Sequence, residues 1–297
     1  MSLCQKIGLG TAQWGMLYGI ANRNGQPNRE EISEMLSCAY QRGISIIDTA
    51  CSYGEAEEIL GEERASSLGF NVVTKTIPIR GSSISKEDVA LVSSAFDESL
   101  KRMQTGRVYG MLIHNVDNLL SDGGERLWAV LEEFKACGSV EKIGVSVYHP
   151  QQLDDIMSRY EIDIVQFPYN IYDQRFAQTG LLEKLQMAGI ETHARSAFLQ
   201  GLIFMSPENM PDYFDSIRMR QAKLHNELSK SGLSPLDGCL SYCLNQPYID
   251  KIIVGCETLG QLTQILKIAE KSPSSLPELE SYAINDEKVV DPSRWEI

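Results

Sequence analysis

No stretch of this sequence is apolar for long enough to span a bilayer. The N-terminal MSLCQKIGLG lacks a signal-peptide pattern. The seven cysteines form no CxxC and no Cys/His grouping, so the common zinc frameworks are excluded and no metal site is expected. An odd cysteine count without a secretion signal points to reduced thiols in the cytoplasm. Cys239 and Cys243 share one helix face at i, i+4, but two ligands do not close a zinc site, and core packing is the better reading. Runs of lysine or arginine are also missing, and the net charge is −13. That balance argues against nucleic-acid and anionic-membrane partners. It does not exclude a phosphorylated cofactor, because anion sites are built locally from backbone N–H groups and helix ends.

What is present is alternation. Strand-like runs at Lys6–Leu9, Ser45–Asp48, Asn71–Lys75, Val108–His114, Val140–Val145, Asp163–Phe167, Glu191–Ala194 and Lys251–Val254 are separated by helical patterns. The helices are expected near Asn28–Gln41, Glu55–Ala65, Lys86–Met103, Glu125–Cys137, Pro150–Arg159, Leu181–Met187 and Gly260–Glu270. Two more are expected within Asp212–Leu244, broken near Gly232–Pro235. Eight βα units favour an α/β fold of the (β/α)8 TIM-barrel type, with eight parallel strands. An open doubly wound sheet would carry a GxGxxG after an early strand, and none occurs. With no linker in evidence, residues 1–297 read as a single domain. Residues 272–297, which carry three prolines, read as a C-terminal tail over one barrel end, with Trp295 packed there.

In such a barrel the C-terminal strand ends face the active site. Those ends supply Asp48 from the second strand, with Tyr53 one loop later, Lys75 from the third and His114 from the fourth. Each has an ordinary structural reading alone; their placement at one mouth does not. A lysine beside a tyrosine favours the phenolate, and a carboxylate holds the lysine charged. Tyr53 is then a general acid, and His114 orients the oxygen that receives the proton. Nucleophile and metal are both missing, which suits hydride addition to a carbonyl with the hydride brought by a cofactor.

These residues sit in motifs that resemble the aldo-keto reductase family over nearly the whole chain: LGTAQWG at Leu9–Gly15, DTACSYGEAEEILG at Asp48–Gly61, then TKT and LIH. The resemblance implies that Asp48, Tyr53, Lys75 and His114 form a catalytic tetrad. It also implies that NADP(H) or NAD(H) lies across the mouth, and that the substrate is a small-molecule aldehyde or ketone, sugar-like or apolar. Trp14 and Tyr18 are expected to line the substrate pocket. Gly10, Thr11, Ser146, Gln166, Arg195, Ser196, Phe198, Gln200, Gly201, Gly255, Glu257 and Gln261 are expected to contact the cofactor. Three positions depart from the family pattern. Val147 replaces an asparagine; Arg195 replaces a tyrosine that stacks on the nicotinamide, a role a planar guanidinium can keep. Glu257 stands where NADP-binding members carry a base, and it favours a free ribose 2′-OH over a phosphate. Two other readings stay open: a Schiff-base aldolase using Lys75, which needs a neutral lysine that Asp48 disfavours, and a slowly turning-over redox sensor on the same scaffold. Oligomeric state is not legible.

Overall fold

A computed structural model describes residues 3–271 and 275–296. Eight parallel strands close into a barrel in chain order: β1 Ile7–Gly10, β2 Ile46–Asp48, β3 Asn71–Lys75, β4 Val108–Ile113, β5 Val140–Ser146, β6 Ile164–Pro168, β7 Glu191–Arg195 and β8 Lys251–Gly255. Most strands read as apolar runs because both faces are buried, one against the barrel interior and one against the helices; β7, ETHAR, is the polar exception. The expected strands agree with these to within about a residue at each end.

The helices follow in order: α1 Ala12–Gly15, α2 Arg29–Gln41, α3 Ala56–Glu62, α4 Lys86–Arg102, α5 Asp117–Leu120, α6 Glu125–Ala136, α7 Pro150–Met157, α8 Arg175–Gln178, α9 Leu181–Met187, α10 Arg218–Lys230, α11 Pro235–Leu244, α12 Leu259–Lys271 and α13 Glu287–Val290. Their starts are chemically specified. Asn28 accepts from Glu31 N–H at the head of α2, and Ser85 with Asp88 forms a capping box on α4. The expected break between α10 and α11 is real, and α11 opens on a second capping box, Ser234 with Asp237, with Pro235 in its first turn. Each helix turns one apolar stripe inward; α6, for example, buries Leu127, Trp128 and Leu131. Full burial of each such side chain contributes about 1.5–3 kcal/mol.

Register puts one row of side chains from each strand inside the barrel. Asp48 pairs with Val73, Lys75 with Leu112, Ser146 with Gln166, Gln166 with His193, and Pro168 with Arg195. Ile46, Val73, Leu112, Ile164 and Ile253 form the apolar interior layer. Near the N-terminal end of the barrel the Glu191 carboxylate accepts from Tyr109 Oη, Lys142 Nζ and His193 Nε2, so this partly buried charge is paired.

The C-terminal tail follows α12 in the chain. It forms short helical turns, and Ile284 N–H donates to Tyr172 O at 2.8 Å. Tyr282, Val289 and Val290 join a second apolar cluster with Phe214 and Leu199. Trp295 packs edge-on against Phe214, its indole N–H donating to Val289 O at 3.1 Å. Of this segment, residues 272–274 and 297 lie outside the described residues. No helix among those described is long and apolar enough to cross a membrane.

Candidate active site

Asp48 ends β2 with its carboxylate nearly inaccessible, which is costly without partners. It has two. Lys75 Nζ donates to Oδ1 at 2.8 Å and Oδ2 at 2.7 Å, and Gln166 Nε2 donates to Oδ1 at 2.6 Å. A further Lys75 N–H reaches Thr49 O at 2.9 Å. The Lys75 donors are therefore spent on this corner of the barrel. Burial pushes the lysine down from its ordinary pKa, while the Asp48 carboxylate works in the opposite sense.

Tyr53 lies in the loop between β2 and α3, and two glycines set its position. A Cβ on Gly15 would stand 1.7 Å from Tyr53 O, and one on Gly54 would stand 2.1 Å from Gly15 O. Gly54 also has φ +54°. The backbone of α1 thus presses directly against the backbone that carries Tyr53, and Glu55 N–H donates to Gly15 O at 3.4 Å. Lys75 Nζ sits 5.0 Å from the centroid of the Tyr53 ring. The His114 ring meets it edge-on with centroids 6.2 Å apart.

Burial outweighs the pull of the Lys75 ammonium toward phenolate. Burial drives the Tyr53 pKa well above 10, the Asp48 charge adds to the rise, and Arg195 opposes it. With its pKa raised in this way, Tyr53 holds its proton at neutral pH. His114 is lowered to about 4, first by burial and then by Lys75, and is neutral at pH 7. Its backbone N–H donates to Thr76 Oγ1 at 3.1 Å, and its Nδ1 is buried without a partner.

All four residues line one cavity of about 520 Å3 at the C-terminal mouth, a size typical of small-molecule sites. The twelve positions expected to contact a cofactor line it too, as does Tyr18. Trp14 does not. It is buried in the core, with its indole N–H donating to Cys256 O at 3.2 Å. Neither Met16 nor any described residue of the C-terminal tail reaches the cavity wall. Thr11 Oγ1 is committed to Asp48 O at 3.1 Å, which ties β1 to β2 beneath the mouth.

The cavity suits a dinucleotide on two counts. Gln166 Oε1 is buried and unpartnered, and can accept from a carboxamide NH2. After β7 the chain turns through positive φ at Ser196, Leu199, Gln200 and Gly201, a curl of backbone amides of the kind that cradles phosphate. Gly255 leaves only enough room for Gln13, whose amide would lie 2.2 Å from an added Cβ. Glu257 accepts from Asn24 Nδ2 and from Gln261 Nε2, each at 3.1 Å, while Gln261 Oε1 accepts from Glu257 N–H at 2.8 Å. Val147 offers no polar group; it is buried in the core.

Several wall residues escaped the sequence. Tyr148 is the most informative: the Arg195 guanidinium lies over its ring, 4.0 Å from the centroid. It stands two residues beyond Ser146, so a wider window at strand ends finds it. Gln13 in the four-residue α1, Asn22 and Phe204 also line the cavity, on segments too short to carry a periodic signal. No group of three or more metal-binding side chains occurs among the described residues.

Comparison with known proteins follows the same lines. The model of the Aldo/keto reductase family matches residues 6–284. The aldo-keto reductase YhdN of Bacillus subtilis is 25% identical over 97% of this chain and 92% of its own length. An L-glyceraldehyde 3-phosphate reductase of Escherichia coli O157:H7 is 24% identical over 63% of this chain and 60% of its own. An aldo-keto reductase of Bacillus halodurans, solved in its holo form, superposes with a TM-score of 0.71 at 18% identity, covering 93% of this chain and 90% of that one. A glycerol dehydrogenase of Gluconobacter oxydans gives 0.69 at 20% identity, with 93% and 89% covered.

Proposed function

The chain belongs to the aldo/keto reductase family, and from that premise we propose that it reduces an aldehyde or ketone to an alcohol, with NAD(P)H as hydride donor and Tyr53 as proton donor. One observation carries the reading: the Tyr53 phenol, the His114 imidazole and the Lys75–Asp48 ion pair converge from neighbouring strand ends on one cavity. Bound NAD(P)H supplies the hydride. Gln166 and Ser146 would hold its carboxamide, and the curl after β7 its pyrophosphate.

The protein's own contribution is placement and a proton. His114, neutral, donates a hydrogen bond to the carbonyl oxygen and fixes it near Tyr53. Tyr53 keeps its proton until negative charge grows on that oxygen, then releases it. The Lys75 ammonium, 5.0 Å from the ring centroid, stabilises the phenolate left behind, and Asp48 prevents the lysine from losing its own proton. The aldolase reading fares badly, because an amine whose donors are bound to a carboxylate and a carbonyl is not a free nucleophile.

Relatives named as reducing L-glyceraldehyde 3-phosphate and glyoxal suggest a small or sugar-like carbonyl compound here. Glu257 disfavours a 2′-phosphate, so NAD(H) is accepted at least as well as NADP(H). The test is loss of reduced-nicotinamide absorbance with NADH or NADPH and a panel of reactive aldehydes. Tyr53→Phe should lower turnover by about 10²-fold or more while leaving cofactor affinity within twofold. Cofactor binding without turnover on any aldehyde would favour the sensor reading instead.

A further inference from the structure

Arg195 is the last residue of β7, and register with Pro168 turns it to the barrel mouth. Its contacts are all to neutral groups: the Tyr148 ring at 4.0 Å, Val147 O at 3.3 Å and Ser196 Oγ at 3.4 Å. No described carboxylate forms an ion pair with it. Of the other charges on the cavity wall, Asp48 and Lys75 cancel, and Glu257 keeps its negative charge, held by the neutral amides of Asn24 and Gln261. A single uncompensated cation therefore faces the cavity, and its charge acts on Tyr53, Lys75 and His114 alike.

Hydride transfer changes one charge. The nicotinamide ring is neutral when reduced and carries +1 when oxidised. The hydride must reach the carbon whose oxygen Tyr53 protonates, so the ring works within a few ångströms of Tyr53 and inside the field of Arg195. Pyrophosphate, riboses and adenine are the same in both forms, so their attraction to Arg195 cancels in a comparison. What remains is repulsion between a guanidinium and a pyridinium, with little water between them to screen it.

We propose that Arg195 selects the redox form of the cofactor, binding reduced nicotinamide in preference to oxidised and hastening release of the oxidised product. The inference rests on the reductase reading above. A neutral aromatic ring at this position stacks on both forms; a cation adds a charge-dependent difference and biases the enzyme toward carbonyl reduction.

The test is a set of dissociation constants, with no turnover required. NADH and NADPH are titrated by fluorescence, and NAD+ and NADP+ by calorimetry, against the wild type, Arg195→Gln, Arg195→Met and Arg195→Lys. Thermal melts confirm that each variant is folded, and Met keeps the packing on Tyr148 should Gln disturb it. The wild type should hold the reduced form at least about tenfold more tightly than the oxidised, a difference of about 1.4 kcal/mol. The ratio should fall by about tenfold in the Gln and Met variants and survive in Lys. Equal affinities in the wild type, or a ratio unmoved by both neutral variants, would overturn the inference and leave the reductase reading intact. Failure of the wild type to bind any of the four nucleotides would overturn both.

Discussion

Lowering the pH should separate His114 from every other titrating group in the protein. The ordinary histidine value is 6.5, and burial holds His114 at about 4 in the folded chain. Between those limits the unfolded chain takes up a proton that the folded chain refuses. Stability due to this group is fully present above pH 6.5 and is lost as pH falls toward 4. At about 1.4 kcal/mol per pH unit, the interval amounts to about 3 kcal/mol in total and about 2 kcal/mol by pH 5. In His114→Gln that loss is removed, while the carboxylates titrate as before. Urea unfolding followed by tryptophan fluorescence at pH 7 and pH 5 gives four free energies. The wild type should lose about 2 kcal/mol more than the variant across the interval. Equal losses would mean that the imidazole takes up its proton in the folded state. It would then already carry a charge in the acidic range, and its role as a neutral hydrogen-bond donor would have to be abandoned.

Three further outcomes follow from the same geometry. Lys75→Met strands the Asp48 carboxylate and should cost about 3–5 kcal/mol in urea unfolding; the double variant Asp48→Asn/Lys75→Met should be more stable than Lys75→Met alone, and a double variant no better would show that the pair is not what offsets the buried charge. Glu257→Arg should tighten NADP(H) binding relative to NAD(H) by about tenfold or more, a single charge-assisted contact, and an unchanged ratio of dissociation constants would place Glu257 away from the ribose. Gly15→Ala should lower turnover by about tenfold or more with nucleotide affinity kept, because its Cβ would press on the Tyr53 backbone; normal steady-state kinetics would show that the loop yields at no cost.

Much of this was legible before any coordinates. Most of the strands announce themselves because a strand buried on both faces reads as a short apolar run, while β7, ETHAR, follows from the βα alternation around it. Asp48, Lys75 and His114 follow from the strand-end rule, and Tyr53 from its motif. Other features leave no trace in residue type. Four-residue helices such as α1, α5 and α8 are shorter than a hydrophobic period can reveal. An aromatic after a strand looks the same whether it faces the mouth or the core, which is how Trp14 was assigned to the pocket that Tyr148 in fact lines. Positive φ at Ser196, Leu199 and Gln200 is carried by residues that ordinarily avoid it, so the curl after β7 is imposed by its surroundings. The rise in the Tyr53 pKa is set by burial, which residue type does not report.

The contact between Gly15 and the Tyr53 loop has a genetic consequence. Most damaging core substitutions can be rescued by trimming the side chain they strike. Here the struck atoms are Tyr53 O, Tyr53 C and Ala56 N on one side, and Gly15 O and Gly15 C on the other. Backbone cannot be trimmed by mutation. A screen for second-site suppressors of Gly15→Ala or Gly54→Ala should therefore return revertants and little else, and these two sites should refuse to drift even in lineages where the rest of the cavity wall is rebuilt for a new substrate.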